Sequence, residues 1–155
     1  MHPNARTIET FYRAFQKLDA RTMAGSYHPE ATFTDPVFDL KGDEIGDMWR
    51  MFCTSGDDLR VAFSEPAADD AGGTTRWEAW YTFKPTGRPV HNVIDAAFSF
   101  RDGMVINHND TFDLASWARQ ALGLSGALLG RTGFMQKRIR QQARGQLSRF
   151  QNRSG

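Results

Sequence analysis

Residues 90–112 read VHNVIDAAFSFRDGMVINHNDTF, in which two runs of alternating apolar and polar residues flank the turn sequence Arg101-Asp102-Gly103. An Asp-Gly pair between two alternating runs is a strong sign of a β-hairpin, because such residues accept the positive φ that a tight turn needs. The pattern therefore predicts two antiparallel strands, over residues 90–100 and 104–112.

The segments before this hairpin predict further strands and a set of helices. Alternating runs cover residues 31–34, 59–65 and 74–83. Apolar residues recur at three- and four-residue steps in residues 5–18 and 43–53, as they do on one face of a helix. Helices followed by a run of antiparallel strands indicate an α+β domain with the helices on one face of the sheet.

Charge is distributed unevenly along the chain. All 18 acidic residues lie before residue 114, whereas eight of the 19 basic residues follow it, so that an acidic body precedes a basic tail. Residues 131–150 predict a long helix in this tail, with its apolar residues on one side. These residues are Met135, Ile139, Ala143, Leu147 and Phe150. We expect the helix to pack on the domain or on a second subunit; the alternatives are a cap on the pocket mouth, an anionic membrane surface or nucleic acid.

Four polar side chains of the hairpin are predicted to share one face of the sheet. If the turn is centred on the Asp-Gly pair, Asp95 lies opposite Asp110. Because side chains alternate between the two faces, His91 and His108 then lie on the same side as these aspartates. Two facing carboxylates repel each other unless one keeps its proton or a histidine neutralises them, which is an environment expected of acid–base chemistry. The alternative is an ordinary His108–Asp110 ion pair at a solvated edge of the sheet.

Two short segments resemble the active-site segments of ketosteroid isomerases. Thr34-Asp35-Pro36-Val37-Phe38, followed by Lys41-Gly42, is similar to the strand-to-loop segment that carries their general base. Val93-Ile94-Asp95 is similar to the segment that holds their oxyanion-hole carboxylic acid. The resemblance covers residues 5–112 and implies that Asp35 is a base and that neutral Asp95 donates a hydrogen bond to an oxyanion.

The same resemblance implies a cone-shaped α+β barrel, in which a curved antiparallel sheet is wrapped by the N-terminal helices and encloses a pocket, with an extra C-terminal helix. Seven aromatic side chains are expected to line this pocket. They are Phe11, Tyr12, Phe15, Trp49, Trp80, Phe98 and Phe112. Where the isomerases have a tyrosine on the first helix, this chain has Phe11, and Tyr12 lies about 100° further round the helix. That departure argues against steroid isomerisation itself.

The last strand carries a second resemblance. Ile106-Asn107-His108-Asn109-Asp110 is similar to the His-x-Asp stretch of SnoaL-like polyketide cyclases, in which an aspartate of this region is the acid–base group. The resemblance implies that Asp110 and His108 are catalytic together with Asp35 and Asp95. In both families a carboxylate removes a proton next to a carbonyl and a neutral donor stabilises the enolate oxygen.

These features predict a SnoaL-like or ketosteroid isomerase-like pocket domain over residues 1–122 and a basic helical extension over residues 123–155. The expected function is that of a cofactor-free isomerase, cyclase or lyase acting on a small apolar or aromatic ligand. The alternative is a non-catalytic ligand-binding or protein-association module of the same fold. A homodimer formed by the outer face of the sheet is expected.

No other class of function is indicated by the sequence. A Gly-rich phosphate loop, a nucleophile elbow and a zinc motif are all missing, so no cofactor and no metal are expected; the alternative is a metal site assembled in space from His108, Asp110 and Asp95. The single cysteine, Cys53, excludes an internal disulfide framework. Binding to nucleic acid or to a membrane is not expected. Since residues 1–4 contain no apolar run, the chain is predicted to be cytoplasmic.

Overall fold

The computed structural model describes residues 1–153 in full and the backbone of Ser154, and these residues form six helices and seven strands. The helices are α1 (Pro3–Gln16), α2 (Ala20–Gly25), α3 (Asp43–Ser55), α4 (Leu114–Leu122), α5 (Leu124–Leu129) and α6 (Gly133–Ser154). The strands are β1 (Tyr27–Thr34), β2 (Asp39–Lys41), β3 (Arg60–Phe63), β4 (Ala67–Ala68), β5 (Gly72–Phe83), β6 (Arg88–Arg101) and β7 (Met104–Thr111). The predicted helices and strands are present, whereas the short elements α5, β2 and β4 do not follow from the periodicity.

One curved sheet that does not close forms the body of the fold. Its strand order is β2-β1-β7-β6-β5-β3, and β4 pairs with the first residues of β5. The α+β class is therefore confirmed. All strand pairs are antiparallel except β1 with β7, which are parallel. The prediction of a wholly antiparallel sheet is wrong at this pair, because the long chain between the two strands allows a crossover connection.

The N-terminal helices cover the inner face of the sheet and enclose an aromatic core. Phe11 and Tyr12 of α1 and Trp49 of α3 are at most 1% exposed, and both Phe11 and Trp49 pack against His108 from the sheet. Burial of each such large side chain contributes roughly 1.5–3 kcal/mol to stability. The core therefore lies where the cone-shaped pocket was predicted.

The basic helix α6 packs with its apolar side on the domain, as expected. Ile139 and Leu147 are buried. Arg144 Nη2 donates to Glu44 Oε2 at 2.8 Å, and a second hydrogen bond of 2.9 Å joins Gln151 to Asp47. Because both acceptors belong to α3, these bonds hold α6 along that helix. Within the described part of the chain, none of the helices is long and apolar enough to cross a membrane.

Candidate active site

A β-bulge in the hairpin separates the carboxylates that the sequence placed together. Next to the turn the predicted pairing holds, but beyond it Ile106 is left without a partner and every later pair is shifted by one residue. Asp110 therefore lies opposite Ala96, and Asp95 lies opposite Thr111. Since a one-residue shift moves one strand's side chains to the other face, the predicted common face of Asp95 and Asp110 is wrong.

Asp95, His91 and Trp80 lie on the outer face of the sheet. The Asp95 side chain is 62% exposed and accepts hydrogen bonds from Arg76 Nε and Nη2 at 2.8 and 3.1 Å. These bonds lower the pKa of Asp95 below its ordinary value. His91 stacks on Trp80 with the ring centres 4.7 Å apart. Asp95 therefore does not share a site with Asp35, and Trp80 does not line the interior.

A continuous chain of hydrogen bonds crosses the interior of the cone. Trp49 Nε1 donates to the Tyr27 hydroxyl at 3.0 Å, and this hydroxyl lies 2.7 Å from His108 Nδ1. His108 Nε2 lies 2.8 Å from Asp110 Oδ1, which also accepts a longer bond of 3.5 Å from Trp77 Nε1. His108 is fully buried and Asp110 is 3% exposed. The alternative of a solvated ion pair at the sheet edge is therefore wrong.

The donors of this chain fix one consistent direction for its protons. Indole nitrogen only donates, so the Tyr27 oxygen accepts from Trp49 and its own hydrogen is free for His108 Nδ1. The proton of a neutral imidazole is then on Nε2, where it is donated to Asp110. Every group in the chain is satisfied by this arrangement, as a buried polar network requires.

Tyr12 is the exception in this interior. Its hydroxyl is the only buried side-chain nitrogen or oxygen, within residues 1–153, that has no hydrogen-bond partner. Burial raises the pKa of Tyr12 well above its ordinary value, and the charge of Asp110 is the second cause. Tyr12 packs against Trp77, whose indole N–H donates to Asp110. An unmade hydrogen bond of a buried hydroxyl costs roughly 1–3 kcal/mol, so the Tyr12 hydroxyl requires a partner such as a water or a ligand.

Asp35 is placed beside this network by the end of β1. The strand ends at Thr34, which pairs with Asn109, the residue before Asp110. Asp35 Oδ1 accepts hydrogen bonds from the backbone N–H groups of Val37 and Phe38 at 2.7 and 2.6 Å. Its other oxygen, Oδ2, has no hydrogen-bond partner among the described residues.

The environment of Asp35 shifts its titration towards neutral pH. Burial raises the pKa of Asp35 from 3.8 to about 6, although the two backbone hydrogen bonds act in the opposite direction. The negative charge of Asp110 raises this pKa further, and His108 lowers it. A carboxyl group that titrates near neutral pH is suited to general acid–base chemistry.

The predicted pocket-lining side chains fill the interior rather than surround an open space. Phe11, Tyr12, Phe15, Trp49 and Phe98 are all at most 4% exposed and pack against one another. Phe112 is partly buried and contacts both this core and a second apolar cluster formed by α4 and α6. A cavity of about 440 Å³ lies on the outer face of the sheet instead, next to Arg76 and Asp95.

Two members of the interior network, Tyr27 and Trp77, are not predicted from the sequence to belong to a functional site. Tyr27 precedes the predicted strand 31–34, and Pro29 argues against a longer strand, but β1 begins at Tyr27. The missed signal is the alternation of Tyr27, Ala31 and Phe33, which are all buried. The signal for Trp77 is also alternation: it lies on the inner face of β5, and its neighbours Arg76 and Glu78 point outward.

Within the described residues, no three His, Cys, Asp or Glu side chains are placed to hold a metal ion. His108 and Asp110 lie inside the sheet, whereas Asp95 lies outside it. Among the described residues these three side chains do not come together, and His108 and Asp110 form a hydrogen bond with each other instead.

Solved structures of low sequence identity share the fold. An NTF2-like protein from Burkholderia pseudomallei superposes with a TM-score of 0.67 at 22% identity, over 77% of this chain and 98% of that one. An LEH-like epoxide hydrolase from M. tuberculosis gives 0.65 at 20% identity, over 82% and 96%. A protein with a ketosteroid isomerase-like fold from Catenulispora acidiphila, in complex with trimethylamine, gives 0.67 at 14% identity, over 78% and 95%.

The sequence itself identifies the family. No curated protein matches the chain. The SnoaL-like domain, however, matches residues 8–108, which extend from α1 to the buried histidine of β7. This match includes Tyr12, Asp35 and His108, and Asp110 lies two residues beyond its end. The protein therefore belongs to the SnoaL-like domain family.

Proposed function

We propose that the protein binds a small apolar or aromatic carbonyl compound beside Tyr12, Asp35 and Asp110, and that Asp35 removes a proton from the carbon next to the carbonyl. The activity is that of a cofactor-free isomerase, cyclase or lyase. The observation that carries the proposal is the unpartnered Tyr12 hydroxyl, which is buried in the core that also holds the His108–Asp110 pair. Asp35 is half-buried at the end of β1, next to the strand of this pair, and has one oxygen free of hydrogen bonds; it offers the base, and the Tyr12 hydroxyl offers the hydrogen-bond donor.

Each group has a defined role in the proposed step. The C–H bond breaks, its proton moves to Asp35 Oδ2, and the electron pair forms an enolate. The Tyr12 hydroxyl donates a hydrogen bond to the enolate oxygen, in the role that the resemblance implied for Asp95. Asp35 then returns its proton to a different carbon, or the enolate attacks a second carbonyl in a ring closure. Burial and the charge of Asp110 keep the pKa of Asp35 raised, against the opposing effect of His108.

A ligand enters this interior only if side chains move. Val37 and Phe112 contact both the core and the cluster of Leu114, Ala118 and Ile139. Arg140 Nε of α6 also donates to the Pro36 carbonyl at 2.8 Å, directly after Asp35. We propose that the mouth of the pocket is at this junction and that α6 moves away from it when a ligand binds.

The filled interior favours one alternative function, which is binding without chemistry. A SnoaL-like domain whose aromatic side chains pack this tightly could bind a ligand or a protein without chemistry. The two functions differ in one observable, because only a base in contact with a ligand exchanges the ligand's protons with solvent.

The test is a thermal-shift screen of enones, phenols, polyketide-like aromatics and epoxides, followed by deuterium exchange of any ligand found. A ligand at 100 times its Kd should add about 2.7 kcal/mol of stability. We expect Asp35→Asn to keep binding but to exchange the ligand's proton roughly 10²–10⁴-fold more slowly than the wild type. The matched control is Asp95→Asn, an exposed aspartate on the outer face, which should exchange like the wild type.

Tyr12→Phe separates the two roles within the site. This variant removes only the hydroxyl. It should weaken the binding of a carbonyl ligand, which loses its hydrogen-bond donor, but it should not destabilise the fold, because this hydroxyl has no partner in the protein. Binding without any proton exchange in the wild type would favour the non-catalytic alternative. Equal exchange rates in wild type and Asp35→Asn would exclude Asp35 as the base.

We also propose that two copies associate through the outer face of the sheet. This face is open, and it carries the exposed Val93 and the stacked pair of Trp80 and His91. The molar mass from light scattering should be that of a dimer, and Val93→Arg should give a monomer, since a buried unpaired charge opposes association. A dimer that persists in Val93→Arg would place the interface elsewhere.

A further inference from the structure

The short helix α5 presents its glycines to the domain and its leucines to solvent. Gly126 and Gly130 are buried against α4. A Cβ atom at Gly126 would overlap the Ala118 carbonyl oxygen, and one at Gly130 would overlap the Gly126 carbonyl oxygen and press on the Ala118 Cβ. Only hydrogen fits at these positions, so α5 cannot turn to bury its larger side chains.

The outward side of this segment is apolar. Leu124, Leu128 and Leu129 are 76%, 72% and 43% exposed, and Phe134 at the start of α6 is 72% exposed. Single exposed apolar residues are ordinary, but four within eleven residues form a surface of the kind that binds a partner. Gln136 Nε2 donates to the Gly130 carbonyl at 3.0 Å and so ties the first turn of α6 to the end of α5. We call these four side chains the leucine–phenylalanine surface.

All charged residues in the chain segment that carries this surface are positive. Arg131, Lys137 and Arg138 are exposed, and none of them forms a salt bridge with a carboxylate of the described residues. The contrast is with Arg144 further along α6, whose charge is paired with Glu44. Since the sequence has no acidic residue after Asp113, the surroundings of the surface attract anions.

We infer that the leucine–phenylalanine surface binds to a bilayer that contains anionic phospholipids. The apolar side chains enter the boundary between headgroups and acyl chains, and Arg131, Lys137 and Arg138 contact the phosphates. A second copy docked face to face would bring two sets of unpaired cations together, which opposes association. Exposed leucines also offer no contact that nucleic acid requires. This inference does not depend on the proposed chemistry.

The test is co-sedimentation of the full chain with vesicles of phosphatidylcholine alone and of phosphatidylcholine mixed with phosphatidylglycerol. The wild type should bind the mixed vesicles, and added salt should weaken the binding. The variant Leu124→Ser/Leu128→Ser/Phe134→Ser should bind them at least roughly tenfold more weakly, because its side chains no longer enter the boundary. The control Leu18→Ser, which replaces an exposed apolar residue just after α1 and outside the proposed dimer interface, should bind like the wild type.

A second pair of variants tests the charges. Arg131→Gln/Lys137→Gln/Arg138→Gln should lose the preference for phosphatidylglycerol, whereas Arg6→Gln/Lys17→Gln/Arg21→Gln, with the same change of net charge elsewhere on the surface, should keep most of it. The inference is wrong if the wild type binds neither vesicle or if the serine variant binds as the wild type does. It is also wrong if the serine variant has a smaller molar mass in solution than the wild type, since a second copy would then cover the surface.

Discussion

Asp35→Asn is expected to be more stable than the wild type at neutral pH, by up to about 3 kcal/mol, while it loses the proposed chemistry. Burial raises the pKa of Asp35 from 3.8 to about 6, and each unit of pKa corresponds to about 1.4 kcal/mol. At neutral pH the wild type therefore holds a charge that the interior disfavours. Asparagine removes this charge and keeps an oxygen for the N–H groups of Val37 and Phe38. Destabilised side chains of this kind are common where activity requires them.

The stability difference between Asp35→Asn and the wild type should grow as the pH rises from about 4 to 6. Between about pH 4 and 6 the folded protein keeps the Asp35 proton while the unfolded chain has lost it, so this residue's contribution to stability falls as the pH rises. Urea unfolding of both proteins across this range should give curves that agree near pH 4 and separate towards pH 6. Asp95→Asn is the control, because Asp95 is exposed and its pKa is lowered. A difference between wild type and Asp35→Asn that does not vary with pH would contradict the account.

His108→Leu is expected to destabilise the protein by roughly 3–5 kcal/mol, because it leaves the Asp110 carboxylate buried without its partner. The Tyr27 hydroxyl also loses the ring nitrogen that lies 2.7 Å from it. Urea unfolding at neutral pH measures the loss. Asn109→Ala, on the exposed side of the same strand, should change the free energy of unfolding by no more than about 0.5 kcal/mol.

A double variant distinguishes a lost hydrogen-bonded pair from a badly fitting leucine. In His108→Leu/Asp110→Leu the buried charge is gone, and replacing both partners of a buried hydrogen bond by apolar groups is often close to neutral. The double variant should therefore be more stable than His108→Leu alone. If the second substitution adds a further loss of similar size, leucine packs poorly here and the pairing argument fails.

The sequence predicts the order of helices and strands well, because periodicity is a local property. The hairpin at Asp102-Gly103 and the apolar side of α6 both follow from alternation and helical spacing. The sheet face on which each carboxylate lies cannot be predicted from alternation alone, because it depends on which residues of the two strands pair. The bulge at Ile106 exchanges the predicted partnership of Asp95 and Asp110 for a pair of Asp95 with Arg76 outside and Asp110 with His108 inside.

Long-range neighbours of the site are equally outside the reach of periodicity. The spacing along α1 shows that Tyr12 lies beside Phe11, but only the packing of α1 against the sheet brings Tyr12 against Trp77, the residue that donates to Asp110. The orientation of α5 also cannot be predicted from apolar spacing. Its glycines are buried because α4 approaches closely at Ala118, and this contact turns the leucines outward against the usual hydrophobic pattern.

The most direct measurement of the central claim is an NMR titration of the Asp35 side-chain carboxyl carbon in the folded wild type and in Asp110→Asn. We expect a pKa near 6 in the wild type, because burial disfavours the charged form, and a lower pKa in Asp110→Asn, because one nearby negative charge is removed. An Asp35 pKa close to 4 in the wild type would contradict the account, since the carboxyl would then be solvated rather than held in the interior as a base.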